Sequence, residues 1–155
     1  VAPDRFDTAW TDGDVRVAAG DLNGDGRPEI VLTPSEGTGL LAWYAAEEPT
    51  GAWTEHVIES ELDHAHGLAL GDMDNDGHLD IVVAKMHQAT PPQEVRVYRN
   101  QGRGDAWVKE VASRKGSHNI VLTDVGSTGR LDIFGANWTD ESPTGGAIEL
   151  FVNED

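Results

Sequence analysis

The chain has no cysteine, which excludes disulfides, zinc–thiolate sites and thiol nucleophiles. No stretch approaches the ~18 consecutive apolar residues of a transmembrane helix, so membrane insertion is not expected. Positive charge is scarce: 11 basic against 28 acidic residues leave a formal charge of −17. Such a surface repels phosphate backbones and anionic lipid and attracts cations, so no nucleic-acid partner is expected. No initiator Met, charged leader or apolar leader core precedes Val1-Ala2-Pro3-Asp4, and the chain reads as a processed or excised piece. No serine sits in a nucleophile elbow or beside a spaced His/Asp set, so a triad hydrolase has no support. Long stretches of 3.6-residue periodicity are also missing. The 18 glycines and 7 prolines instead punctuate short β-type runs.

What is present is repetition. Val17-Ala18-Ala19-Gly20-Asp21, Leu68-Ala69-Leu70-Gly71-Asp72 and Ile120-Val121-Leu122-Thr123-Asp124 align, and their aspartates lie 51 and 52 residues apart. Each is followed by a second β-type run: Glu29 to Thr33, Asp80 to Ala84 and Asp132 to Ala136. A third run follows at Leu40–Tyr44, Val95–Tyr98 and Ile148–Phe151, each with an aromatic at the matching place. Trp53 to Ile58 and Trp107 to Val111 supply a fourth. A period near 50 with four antiparallel strands is that of a propeller blade. The aromatics Trp43, Tyr44, Trp53, Tyr98, Trp107 and Phe151 are expected to pack between blades.

The expected fold is all-β: three four-stranded antiparallel blades of a β-propeller, with repeats at about 10–58, 64–111 and 117–153. Residues 1–9 read as the outer strand of a preceding blade, because stepping back one period from His56-Val57-Ile58 lands on Arg5-Phe6-Asp7. The last blade's own outer strand is then expected from the N-terminal strand of a neighbour or from the rest of a larger chain. Rings of this kind usually hold ~4–8 blades. Three arrangements therefore stay open: a segment of a larger propeller, a homo-oligomer in which two copies complete a six-bladed ring, or a bare three-blade piece with exposed edges.

Between the first and second strands of blade one lies Asp21-Leu22-Asn23-Gly24-Asp25-Gly26-Arg27-Pro28-Glu29; blade two has Asp72-Met73-Asp74-Asn75-Asp76-Gly77-His78-Leu79-Asp80. Oxygen donors at positions 1, 3, 5 and 9 suit a hard divalent cation, and the position 7 residues Arg27 and His78 can add a backbone carbonyl. Gly26 and Gly77 permit the bend at position 6. The candidate ligands are thus Asp21, Asn23, Asp25, Arg27 and Glu29 in one loop, and Asp72, Asp74, Asp76, His78 and Asp80 in the other. Leu32 and Val83 occupy position 12, where an EF-hand has Glu, and strands rather than helices flank the loop. The plainer alternative is a polar turn in an ordinary hairpin. In blade three, residues 124–132 keep acids at positions 1 and 9, but Gly126 and Thr128 replace the donors at 3 and 5. Two Ca2+ sites are expected, with the third loop a hydrogen-bonded turn.

This pattern, G-D-x-[ND]-x-D-G-x-x-[DE]-[IL]-V recurring about every 50 residues, resembles the FG-GAP/VCBS repeats of integrin-α-like β-propellers. The resemblance implies loops that bind calcium on one face, ligands on the opposite face or between blades, and a secreted, extracellular protein. Relatives so implied include adhesion proteins, lectins and accessory domains of polysaccharide-degrading enzymes.

Strand order puts the other connections on the face opposite the acidic loops. That face collects His64, His66, Ser117, His118 and Asn119, with Lys85, Met86, His87, Gln88, Asn137 and Trp138 from the ends of second strands. His66 and His118 are repeat equivalents, 52 residues apart. Three readings compete. Trp138 stacks on a sugar while His66, Lys85, His87, His118, Asn119 and Asn137 engage its hydroxyls. Alternatively, His66, His87 and His118 hold a transition metal or serve a polysaccharide lyase or hydrolase. In the third, they bond one another as strand-end residues. The leading expectation is a binding module for a glycan or protein ligand rather than an enzyme. Arg103-Gly104-Asp105 and the sequon Asn137-Trp138-Thr139 are short enough to recur by chance.

Overall fold

The computed structural model describes residues 15–138 and 145–154. The expected outer strand at residues 1–9 and the sequon's Thr139 lie outside the described residues. No helix occurs among those described, and none could cross a membrane.

Three antiparallel sheets follow one another. The first holds β1 (Val15–Gly20), β2 (Glu29–Pro34), β3 (Thr38–Ala45) and β4 (Thr54–Asp63) in that order. The second repeats it with β5 (Gly67–Gly71), β6 (Asp80–Ala84), β7 (Val95–Asn100) and β8 (Trp107–Ser113). The third has β9 (Asn119–Thr123), β10 (Asp132–Ala136) and β11 (Ile148–Phe151). These are the blades of an incomplete propeller, not closed into a ring. The registers Leu70↔Ile81 and Leu122↔Ile133 place the inner hairpins one repeat apart in matching geometry.

Blade formation follows from period-2 alternation with both sheet faces apolar, since each blade must cover a neighbour on either side. The forward face of blade one, with Val31 and Trp43, packs against Leu68, Leu70, Ile81, Val83 and Tyr98 of blade two. The forward face of blade two, with Val82 and Val97, packs against Ile120, Leu122, Ile133 and Phe151 of blade three. Val31, Val82, Ile81 and Val83 are fully buried, each worth about 1.5–3 kcal/mol of apolar burial. Trp43, Tyr44 and Tyr98 are buried as well, and Trp107 and Phe151 pack at the margins of the two cores.

Glycine makes this contact close. A Cβ on Gly20 would stand 2.6 Å from Leu79 Cδ1 and one on Gly71 2.7 Å from Leu131 Cδ1, so the leucines of each following blade wedge against bare backbone.

One strand departs from the sequence expectation by more than two residues. The fourth strand of blade one runs to Asp63 instead of ending at Ile58, with register shifts at Leu41. The polar stretch Glu59-Ser60-Glu61 continues the strand, and Glu59 accepts hydrogen bonds from Arg96 (2.7 Å) and from the Tyr98 hydroxyl (2.6 Å) of blade two. Leu62 beyond it is fully buried.

Candidate metal centre and the opposite face

All three inner hairpins turn through the same backbone path. Positions 4 and 6 have positive φ in each loop: Gly24 and Gly26, Asn75 and Gly77, Ser127 and Gly129. The first aspartate holds the turn. In loop one, Asp21 accepts the N–H groups of Gly24 (2.7 Å), Asp25 (3.1 Å) and Gly26 (2.8 Å). In loop two, Asp72 accepts those of Asp76 (3.1 Å) and Gly77 (2.9 Å). The ninth residue reaches back to the second, whose N–H it accepts: Leu22 to Glu29 at 2.8 Å, Met73 to Asp80 at 2.9 Å, Val125 to Asp132 at 3.1 Å. Loop three keeps this frame with Asp124 bonded to Thr128 and Gly129, so the turn itself does not require the acids at positions 3 and 5.

What those acids add is convergence of charge. Carboxylate oxygens of Asp72, Asp74 and Asp80 all lie within 4.8 Å of one another. Asp80 is fully buried. Burial, with the charge of Asp74 adding to it, pushes its carboxyl up to about 6 against the opposing N–H bonds from Asn100 and Met73. Three acids this close repel unless a proton or cation stands among them. The donor set is all-oxygen, which suits a hard divalent ion. Asp76 is outside the group, its carboxylate accepting the His78 N–H at 2.8 Å. Arg99 stands 3.5 Å from Asp74, the nearest competing cation.

Loop one is arranged differently. Among the described residues, Asp21, Asp25 and Glu29 do not form such a group. The Arg27 guanidinium turns back to Asp25 at 2.8 Å, and the Asn23 amide donates to Asp25 (3.4 Å) and Glu29 (3.1 Å). These N–H groups lie among the oxygens where a cation would sit. Burial raises the Glu29 carboxyl, and the nearby charges of Asp25 and Asp21 add to the shift.

On the opposite face, the rings of His66 and His118 stack at 3.9 Å with 30° between planes. Arg16 donates to the His66 ring at 2.6–2.7 Å, and Glu36 lies 3.9 Å from its Nε2. Burial, followed by electrostatic coupling to the neighbouring His66, Arg16 and His87, pushes His118 down to about 4, so it is neutral at pH 7. The Asn119 amide sits 2.9 Å from His118 Nδ1. A neutral ring that accepts there carries its hydrogen on Nε2, ready to donate. Trp138, 66% exposed, lies 5.5 Å from the His118 ring and 5.8 Å from that of His87. Arg16, His66 and Asn119 also line a shallow recess of about 200 Å³. Asn137 is buried, its N–H on the Ala147 carbonyl. Lys85 is committed elsewhere: its ammonium is buried against Asp63 and the Thr90 carbonyl.

Arg16 and Glu36 were not among the sequence candidates, since neither has a repeat partner of its own type. A second omission had a signal. Asn100 and Asn153 each stand two residues past the aromatic that closes the third run of their repeat, and both prove to be inter-blade staples. The Asn100 amide donates to the Leu22 and Leu79 carbonyls, the Asn153 amide to those of Met73 and Leu131.

A family model for the FG-GAP-like repeat matches residues 21–83, which span both intact acidic loops. The chain matches no curated protein and no solved structure.

Proposed function

From the FG-GAP-like repeat carried by residues 21–83 we propose that this propeller module is stabilised by calcium and works outside the cell as a binding module, recognising a neutral carbohydrate on the face opposite the acidic loops. The calcium reading rests on the convergence of Asp72, Asp74 and Asp80. Calcium here fixes an inner hairpin; it performs no chemistry. Loops without the position 12 glutamate suit the weak binding typical of extracellular modules, where calcium is abundant.

The observation that supports the ligand reading best is Trp138, two-thirds exposed between His118 and His87. An exposed indole offers a flat apolar platform, and uncharged polar donors beside it suit hydroxyl groups better than anions. The neutral state of His118 favours binding over catalysis, since a group that titrates near 4 is a weak general base at neutral pH.

A glycan array probed with the protein in calcium, followed by prolonged incubation with the best hits, tests the proposal. Retained signal with intact glycan is expected. Shortened or unsaturated products would identify an enzyme, and a blank array would remove the carbohydrate assignment.

A further inference from the structure

Each blade covers the next with a forward face and receives the previous one on its back face. Two such faces lack a partner among the described residues. The forward face of blade three shows Val121, Phe134 and Leu150, which are 53%, 38% and 41% exposed. They pair across β9, β10 and β11 as Ala69, Val82 and Val97 do in blade two. Val82 and Val97 there are 0% and 5% exposed, covered by blade three. On the back face of blade one, Val17 is 64% exposed, whereas its equivalent Leu68 packs into the seam between blades one and two.

These two open faces depart from the other seams in opposite directions. Within the chain, Gly20 receives Leu70 and Leu79, and Gly71 receives Leu122 and Leu131. At the forward face of blade three the glycine is replaced by Thr123, and Ala69 by Val121. A following blade with two leucines would collide with that threonine. At the back face of blade one the two leucines are replaced by Ala19 and Pro28, and Leu68 by Val17. The forward face is bulkier by about the groups the back face has lost, so volume is conserved when they meet.

We propose that these faces mate between two copies of this chain, blade three of each against blade one of the other, to close a six-bladed ring. Repeat packing supplies the geometry, as the new seam continues the two already present. Two copies, each bringing the three sheets of the described residues, supply six blades, within the roughly 4–8 that close a propeller. The contact is head-to-tail, and such contacts form closed assemblies only when the rotation completes a circle. This proposal rests on blade packing alone and stands or falls separately from the ligand assignment.

Sedimentation equilibrium in calcium and ~0.15 M salt, where surface repulsion is screened beyond ~8 Å, tests it. A mass of twice 16.7 kDa is expected for the wild type. Val121→Asp and Val17→Lys, both at exposed positions, should each give monomers with unchanged far-UV circular dichroism. An equimolar mixture of the two variants should recover the two-copy species. In that hybrid one seam carries both substitutions, as an Asp–Lys pair, and the other carries neither. A monomeric wild type at micromolar concentrations, a series of higher masses, or variants that stay dimeric would each overturn the proposal. So would a mixture that remains monomeric.

Discussion

The side-chain amide of Asn100 donates to the carbonyl of Leu22 at 2.8 Å across the seam between blades two and one. Leu22 is the second residue of the first acidic loop, and the N–H of Asn100 itself is held by Asp80, the ninth residue of the second loop, at 2.8 Å. Asn153 repeats the arrangement one blade on, with Met73 at 2.6 Å and Asp132 at 3.0 Å. The first loop is therefore tied to the second through a buried amide and the second to the third through a half-buried one, so an ion fixing one loop would also stiffen the seam beside it.

Replacing Asn100 should break that tie. Its oxygen also accepts the N–H groups of Gly102 and Gly104, and the residue is fully buried. Asn100→Ala strands several buried polar groups and is expected to cost about 2–4 kcal/mol in urea unfolding. Asn153→Ala, at a partly exposed site, should cost less. Equal and negligible losses from both would refute the staple.

Calcium should raise the melting temperature and a chelator should lower it. At ~100-fold excess over Kd one site adds about 2.7 kcal/mol, or very roughly 5–10 °C for a domain of this size. Asp74→Ala should remove most of the difference, whereas Thr128→Ala in loop three should leave it intact. Melting curves that superimpose with and without chelator would end the calcium assignment.

The calcium effect should depend on pH through Asp80. Burial lifts its carboxyl from 3.8 in the unfolded chain to about 6 in the folded one. Without an ion, folding thus binds a proton between these values, and this group's contribution to stability declines as pH rises through that window. Calcium competes with the proton. Its stabilisation should be complete above about pH 6 and fade below it. Differential scanning calorimetry at pH 7.5 and 5 checks this, and an unchanged calcium shift at the lower pH contradicts it.

Gly71→Ala should overpack the second seam, its Cβ lying 2.7 and 2.8 Å from Leu131 and Leu122. A loss of about 1–3 kcal/mol is expected. Adding Leu122→Ala should recover part of it, a coupling seen only for residues in contact. Strict additivity in the double mutant would mean that the leucines do not pack on this glycine.

Trp138→Ala should leave the melting temperature within about a degree, because an exposed side chain contributes little to the core. Any glycan binding found on the array should fall at least tenfold. Titration calorimetry distinguishes the two, and undiminished affinity would move the ligand site elsewhere.

Asp21, Asp72 and Asp124 could be read as turn residues from the sequence because their task is local. Each bonds amides three to five residues on, and Gly26, Gly77 and Gly129 supply the positive φ at position 6 that the turn requires. Blade order was equally legible, since alternation and a 50-residue period are properties of neighbours along the chain. Tertiary structure alone decided the rest. It gathered Asp72, Asp74 and Asp80 while Arg27 folded back on Asp25, a difference of side-chain direction that spacing does not encode. It buried Asp80 and half-buried His118 and so shifted the two titrations in opposite senses, because desolvation always disfavours the charged form. The stacking of His66 on His118, and the reach of Asn100 to a carbonyl 78 residues away, exist only once the blades are set side by side.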